Sequence, residues 1–273
     1  MTAFPTRTLP APLAGPIVLD LDMPHGSVFI QVTPSAARAE ITLSADSGSR
    51  DIARAIADAD MTVELRRMAV TVPATAPGAT TVIGTQWNIT GANVIVNRGS
   101  MWIDGNHVVV GNLSAGNAGS GIQAVATLPP GSAVRVRTRT ASMTTDGRLE
   151  WVAYRSVSGS LEVAACVGEL AVDTTSGSIH AAATGSARVQ TVSGDIYLAE
   201  CAGTAALRST SGDIRVHATG PGTIQAESMS GDVTVTARPG LPLAVAETGL
   251  FVNARSMSGQ VRTPLSSPRG GGW

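Results

Sequence analysis

The sequence predicts an all-β chain: a β-solenoid, or β-helix-like, stack of two-strand rungs of about 18 residues, with one short helix in the N-terminal part. Three observations predict it. The first is a repeat. Ser-Gly recurs at Gly159, Gly177, Gly194, Gly212, Gly231 and Gly259, with gaps of 18, 17, 18, 19 and 28 residues. The second is alternation after the glycine. Two positions on stand Leu161, Ile179, Ile196, Ile214, Val233 and Val261; one further on stand Glu162, His180, Tyr197, Arg215, Thr234 and Arg262. Period two marks a strand with one buried face. The third is alternation before it. Tyr154, Val172, Val189 and Leu207 stand five before, and the polar Arg155, Asp173, Gln190, Arg208, Glu227 and Arg255 four before. Hydroxylic Ser156, Thr174, Thr191, Ser209, Ser228 and Ser256 stand three before, on the parity of the apolar residues.

Each unit therefore reads as strand, Ser-Gly corner, strand, then a second corner such as Ala202-Gly203 or Pro221-Gly222. Glycine suits the corner because it accepts positive φ. Such a strand pair cannot bury its own apolar face, and stacking like units does bury it. Columns of like residues favour in-register stacking over an antiparallel meander. The hydroxyl column is expected to bond along itself as a ladder.

The remaining elements follow in chain order. Residues 1–16, with Pro5, Pro10, Pro12 and Pro16, read as an irregular arm. An N-terminal β region spans 17–121, the repeat body 122–263 and a disordered tail 264–273. Strands are expected at 17–22, 27–33, 39–44 and, as one run, 61–72. Between them Ile52, Ala55, Ile56 and Ala59 fall at helical spacing, so a helix runs over about 49–59 with Ser49 as N-cap. The Gly- and Asn-rich stretch that follows carries short strands at 93–96, 100–103 and 108–110, then a loop over 111–121. Segments 123–128 and 133–140 flank the turn Pro129-Pro130-Gly131 and read as a hairpin leading into the repeats. An insertion near 239–248 widens the last gap.

Composition narrows the function. Hydrophobic residues make up 43% of 273, enough for a core, whereas aromatics make up 3%, too few for a single-strand stacking platform. Net charge is −1, so no global field draws nucleic acid, and no apolar run is long enough for a membrane span. The first residues lack the apolar core of a secretory signal, which points to the cytoplasm, with the cell surface by a non-classical route as the alternative. Cys166 and Cys201 both stand seven residues after a repeat glycine, one column, with Thr184 between them. Two rungs span about 9.5 Å. A disulfide needs Cα atoms within about 7 Å, so free thiols are expected.

Ser-Gly-Asp-Ile at 193–196 and 211–214, Ser-Gly-Asp-Val at 230–233 and the lead-in Leu128-Pro-Pro-Gly-Ser132 resemble a bacterial family of β-strand repeat domains. The family is of unknown function, common in actinobacteria and often labelled "putative adhesin". The resemblance covers about 17–72 and 122–263 and implies a surface or scaffold role.

No motif carries catalysis. The histidines are scattered, and no nucleophile elbow, Walker loop or dinucleotide fingerprint sits in its required context. The chain is therefore read as a non-enzyme without cofactor. Asp195, Asp213 and Asp232 share a column and are the only metal candidates, against the plainer reading of solvated turn aspartates. Arg135, Arg137 and Arg139 project from one strand face and suit an acidic partner or phosphate, or simply discourage edge pairing. Asp20 and Asp22 share a strand face as an edge-protecting pair. Trp87, Trp102 and Trp151 are candidate sugar platforms, or equally caps on the core. Three functions follow: a scaffold or protein-interaction module with an unknown protein partner, a carbohydrate-binding or adhesin-like surface protein, and a self-assembling filament subunit.

Overall fold

The computed structural model describes residues 5–45, 50–74, 94–97, 100–103, 106–108, 121–242 and 249–264. The fold is mostly β with one short helix. The elements are β1 (Thr6–Ala14), β2 (Val18–Asp22), β3 (Ser27–Val32), β4 (Arg38–Ala45), α1 (Arg50–Ala57), β5 (Asp60–Glu64) and β6 (Arg67–Thr71). Then come β7 (Val94–Asn97), β8 (Ser100–Ile103), β9 (Asn106–Val108), β10 (Ile122–Leu128), β11 (Ala133–Arg137), β12 (Ser142–Asp146) and β13 (Leu149–Ser156). The repeats supply β14 (Leu161–Ser176), β15 (Ile179–Ser193), β16 (Ile196–Cys201), β17 (Ala205–Ser211), β18 (Ile214–Ala218), β19 (Gly222–Ser230), β20 (Val233–Ala237), β21 (Leu250–Ser256) and β22 (Val261–Arg262).

The strands form two ladders. In the first the order is β5, β6, β2, β11, β13, β14, β15, β17, β19, β21. In the second it is β1, β4, β10, β3, β12, β14, β15, β16, β18, β20, β22. Within the two ladders antiparallel pairs occur only near the N-terminal end (β5 with β6, β1 with β4, β4 with β10), and every other ladder pair is parallel. The long strands β14 and β15 run through both ladders and join them. β7, β8 and β9 make a separate antiparallel sheet.

The repeat alignment is the register of the structure. Leu161 pairs with Ile179, Ile179 with Ile196, Ile196 with Ile214, Ile214 with Val233 and Val233 with Val261. The first five members of that column are at most 1% exposed, because each is covered by a rung on either side. Val261 breaks the expectation at 41% exposed, since no described strand follows it. Tyr154, Val172, Val189 and Leu207 are buried on the other ladder, and so are the hydroxylic Ser156, Thr174, Thr191, Ser209 and Ser228.

Several sequence expectations change. The proline-bearing arm contains β1, whose Leu9 and Ala11 are buried. Prolines are tolerated there because β1 lies at a ladder edge and need not donate on its outer side. The single run over 61–72 is a hairpin, β5–β6, turned at Leu65, which takes φ 52°. The segments around Pro129 form no hairpin: β10 pairs with β3 and β4, β11 with β2 and β13. That turn carries the chain from one ladder to the other, as the repeat corners do. Cys166 and Cys201 are both free, but they do not share a column. A register shift after Val163 pairs Cys166 with Ala183 and leaves Val167 opposite Thr184, which pairs with Cys201. The helix lies where its spacing puts it, with Ile52, Ala55 and Ile56 buried. Its proposed N-cap Ser49, the loop over 111–120 and the tail beyond 264 lie outside the described residues.

Candidate functional site

Outward side chains on the first ladder form straight rows, because parallel in-register strands set like positions one rung apart. Asp20, Arg135, Ala153, Ala171, Arg188 and Ala206 occupy one row. Asp22, Arg137, Arg155, Asp173, Gln190, Arg208, Glu227 and Arg255 occupy the next. A shallow depression of about 560 Å³ opens on these rows. Arg135, Arg137, Arg155 and Arg188 border it, Ala153 and Ala171 lie between them, and Asp173 is the one acid on its wall. The small alanines leave room between the flanking guanidinium groups.

Asp20 organises one end. It is 4% exposed, and Arg67 and Arg137 both donate to its carboxylate, Arg137 at 3.1 Å to each oxygen. The Arg135 guanidinium is 3.9 Å from Oδ2 and lies over the Trp151 ring, 5.7 Å from its centroid. Three cations thus gather on one buried anion, which fixes them and leaves net positive charge on the surface. β2 is flanked by β6 and β11, so Asp20 is not the edge-protecting charge that its alternation with Asp22 suggests. Further along, Arg155 donates to Asp173 at 2.8 Å, and Arg208 stands 3.3 Å from Glu227. These exposed pairs follow the repeat and contribute little individually.

Arg139 does not continue the arginine row. β11 ends at Arg137, and Arg139 lies in the following turn, its amide donating to the Pro24 carbonyl. It borders a separate hollow with Asp22 and Arg137. Of Trp102 only the backbone, in β8, is described, and Trp87 lies outside the described residues. Sequence reasoning missed Arg155 and Arg188 as neighbours of Arg135 and Arg137. The signal was present, since Arg155 heads the polar column four before the glycine.

The aspartate column is built for the backbone. Asp195 Oδ1 accepts the Asp213 amide at 2.9 Å, Asp213 Oδ1 the Asp232 amide at 2.9 Å, and Asp232 Oδ1 the Gln260 amide at 2.8 Å. Each carboxylate caps the corner of the next rung, which is why Asp follows the Ser-Gly. Among the described residues no group of three or more His, Cys, Asp or Glu is arranged to hold a metal ion. The hydroxyl column likewise bonds to backbone rather than along itself. Ser209 donates to the Gly194 carbonyl, Ser228 to that of Gly212 and Ser256 to that of Gly231. Thr191 and Thr145 keep buried hydroxyls without a partner. No described helix is long and apolar enough to cross a membrane.

Fold and surface together define a class: β-rich repeat proteins whose like residues stack in rows along a ladder. The chain belongs to the Toastrack DUF4097 family, whose sequence profile matches residues 25–269. The family is one of unknown function. No curated protein matches the chain. Among solved structures it is similar to a putative adhesin from Bacteroides fragilis, at 10% identity and a TM-score of 0.49, covering 95% of this chain and 97% of that one. It is also similar to a putative adhesin from Parabacteroides distasonis, at 10% identity and a TM-score of 0.43, covering 96% and 97%. A putative cell adhesion protein from Clostridium sporogenes matches at 9% identity and a TM-score of 0.37, covering 96% and 99%.

Proposed function

We propose that this chain is a non-catalytic interaction module, a β-solenoid scaffold that offers the arginine rows of its first ladder to an acidic protein partner. One observation carries the reading. Arg135, Arg137, Arg155 and Arg188 line one depression whose wall carries Asp173 as its one acid, with the buried Asp20 paired to Arg135 and Arg137 at one end, in a chain whose net charge is −1. Segregation of charge onto one face favours encounter with an opposite surface more than it adds stability. A rigid ladder holds those guanidinium groups at fixed rung spacing, so little order is lost on binding. The recurring polar groups run along rows, whereas catalysis requires unlike groups to converge.

The test uses poly-L-glutamate as the probe. The wild-type chain should bind it with an affinity that falls steeply with added salt. Replacing Arg155 and Arg188, neither of which pairs with the buried Asp20, together by Gln should weaken binding several-fold while leaving the circular dichroism spectrum unchanged. Equal binding by the Gln variant would overturn the proposal. So would selective, salt-insensitive binding to a neutral glycan on an array, which would favour carbohydrate recognition instead.

A further inference from the structure

We infer that the C-terminal end of the ladder is a self-association surface, and that two copies of this chain pair there end to end as a closed dimer. The two ends of the molecule are built differently. At the N-terminal end the outermost strands are β1 and β5. β1 carries Pro10 and Pro12 and an irregular register before Ala14; β5 is short and flanked by Asp60 and Glu64. Helix α1 is tied to β1 by Arg7, which donates to the carbonyls of Ile56, Ala57 and Ala59. Prolines, bulges, charges and a covering helix are the devices that keep a sheet edge from pairing.

Among the described residues the outermost strands at the other end carry no proline, no bulge and no covering helix. β21 pairs only with β19, and β22 only with β20, among the described residues. β21 runs seven residues, Leu250 to Ser256, without proline and with Arg255 as its one charge. Phe251 at 53% and Val261 at 41% are exposed here, and Met257 at 81% ends an exposed corner column, two before each repeat glycine, that also holds Val157, Val192 and Met229.

The backbone sets the pairing. Gly222 donates to the Gly249 carbonyl and Met257 to the Ser228 carbonyl, so odd positions of this segment turn toward β19. Leu250 turns the other way and donates to the Pro242 carbonyl. Val252, Ala254 and Ser256, of the same parity, present their amides and carbonyls to the open side. An antiparallel pairing centred on Ala254 sets Val252 against Ser256 of the second copy, with backbone bonds exchanged in both directions. It also sets Phe251 against Met257 of the second copy, an aromatic–thioether contact that covers both exposed side chains. The arrangement is self-complementary, and the blunted opposite end stops growth at two copies.

Light scattering after size exclusion, across a wide concentration series of the full chain, tests this. The mass should rise from 27.7 kDa toward twice that value. The double variant Phe251→Lys, Met257→Lys should remain at 27.7 kDa throughout. Its thermal midpoint at low concentration should match the wild type, because both replaced side chains are exposed. A wild-type chain that stays monomeric at the highest concentration would overturn the inference. So would a dimer that ignores both lysines, or a ladder of species larger than a dimer.

Discussion

The repeat glycine is selected by its neighbour on the previous rung. A Cβ on Gly194 would run into the carbonyl of Gly177, and one on Gly231 into that of Gly212. Positive φ is a second requirement at Gly177, with φ 130°, but Gly194 has no such need. Gly194→Ala therefore isolates the steric cause and should lower stability by about 2 kcal/mol, since two backbones must separate. Urea denaturation measures it. Tyr154 gives a residue-level pH dependence. It is 2% exposed and donates to the Ala141 carbonyl at 2.6 Å. Burial pushes its phenol up to about 12, with a Ser156 hydrogen bond opposing. Below pH 10 the phenol is neutral in both states and its contribution is whole. Between pH 10 and about 12 the unfolded chain gives up the proton while the folded chain keeps it, so stability falls with rising pH. The expected loss is about 2–3 kcal/mol. Tyr154→Phe should remove that slope while costing about 1 kcal/mol at neutral pH through the orphaned Ala141 carbonyl.

At the level of elements, α1 is short, and an isolated helix of its length is unstable in water. Its apolar stripe of Ile52, Ala55 and Ile56 docks on the ladder end, and Arg7 satisfies its C-terminal carbonyls. A cation at a helix C-terminus also interacts favourably with the dipole. Arg7→Ala should cost about 1–2 kcal/mol. Loss of amide protection confined to α1 and β1 in hydrogen exchange is the expected signature. The strands depend instead on their place in the stack. β5 and β6 read as one run because the Leu65 turn lacks Gly or Asn, the residues that ordinarily accept its φ of 52°.

At the level of the whole molecule, a ladder distributes its core along an axis, so each rung is stabilised by the two beside it. Ile214 lies fully buried between Ile196 and Val233. Ile214→Asp places an unpaired carboxylate in that column and should abolish cooperative unfolding of the repeat body, because a buried charge costs several kcal/mol. The same change in the last column member, Val261→Asp, should cost under 1 kcal/mol in a monomer, since Val261 is 41% exposed. Comparing the two thermal melts separates the interior of the stack from its open end.

The repeat register, the buried apolar columns, the parity of the hydroxyls and the position of the helix were legible in the chain alone. All rest on local period and on glycine at fixed spacing, which hold wherever the strand is placed. Only the tertiary structure decided which strands pair. It moved β10 and β11 into different ladders, offset Cys166 from Cys201 through one register shift, and turned Asp20 from an edge charge into the anchor of three arginines. It also converted the aspartate column into corner caps and drew Arg155 and Arg188 beside Arg135 and Arg137. The physical reason is common to all of these. A side chain's face follows from its parity within one strand, but its neighbours belong to other rungs, and a single bulge or corner changes which rung those are.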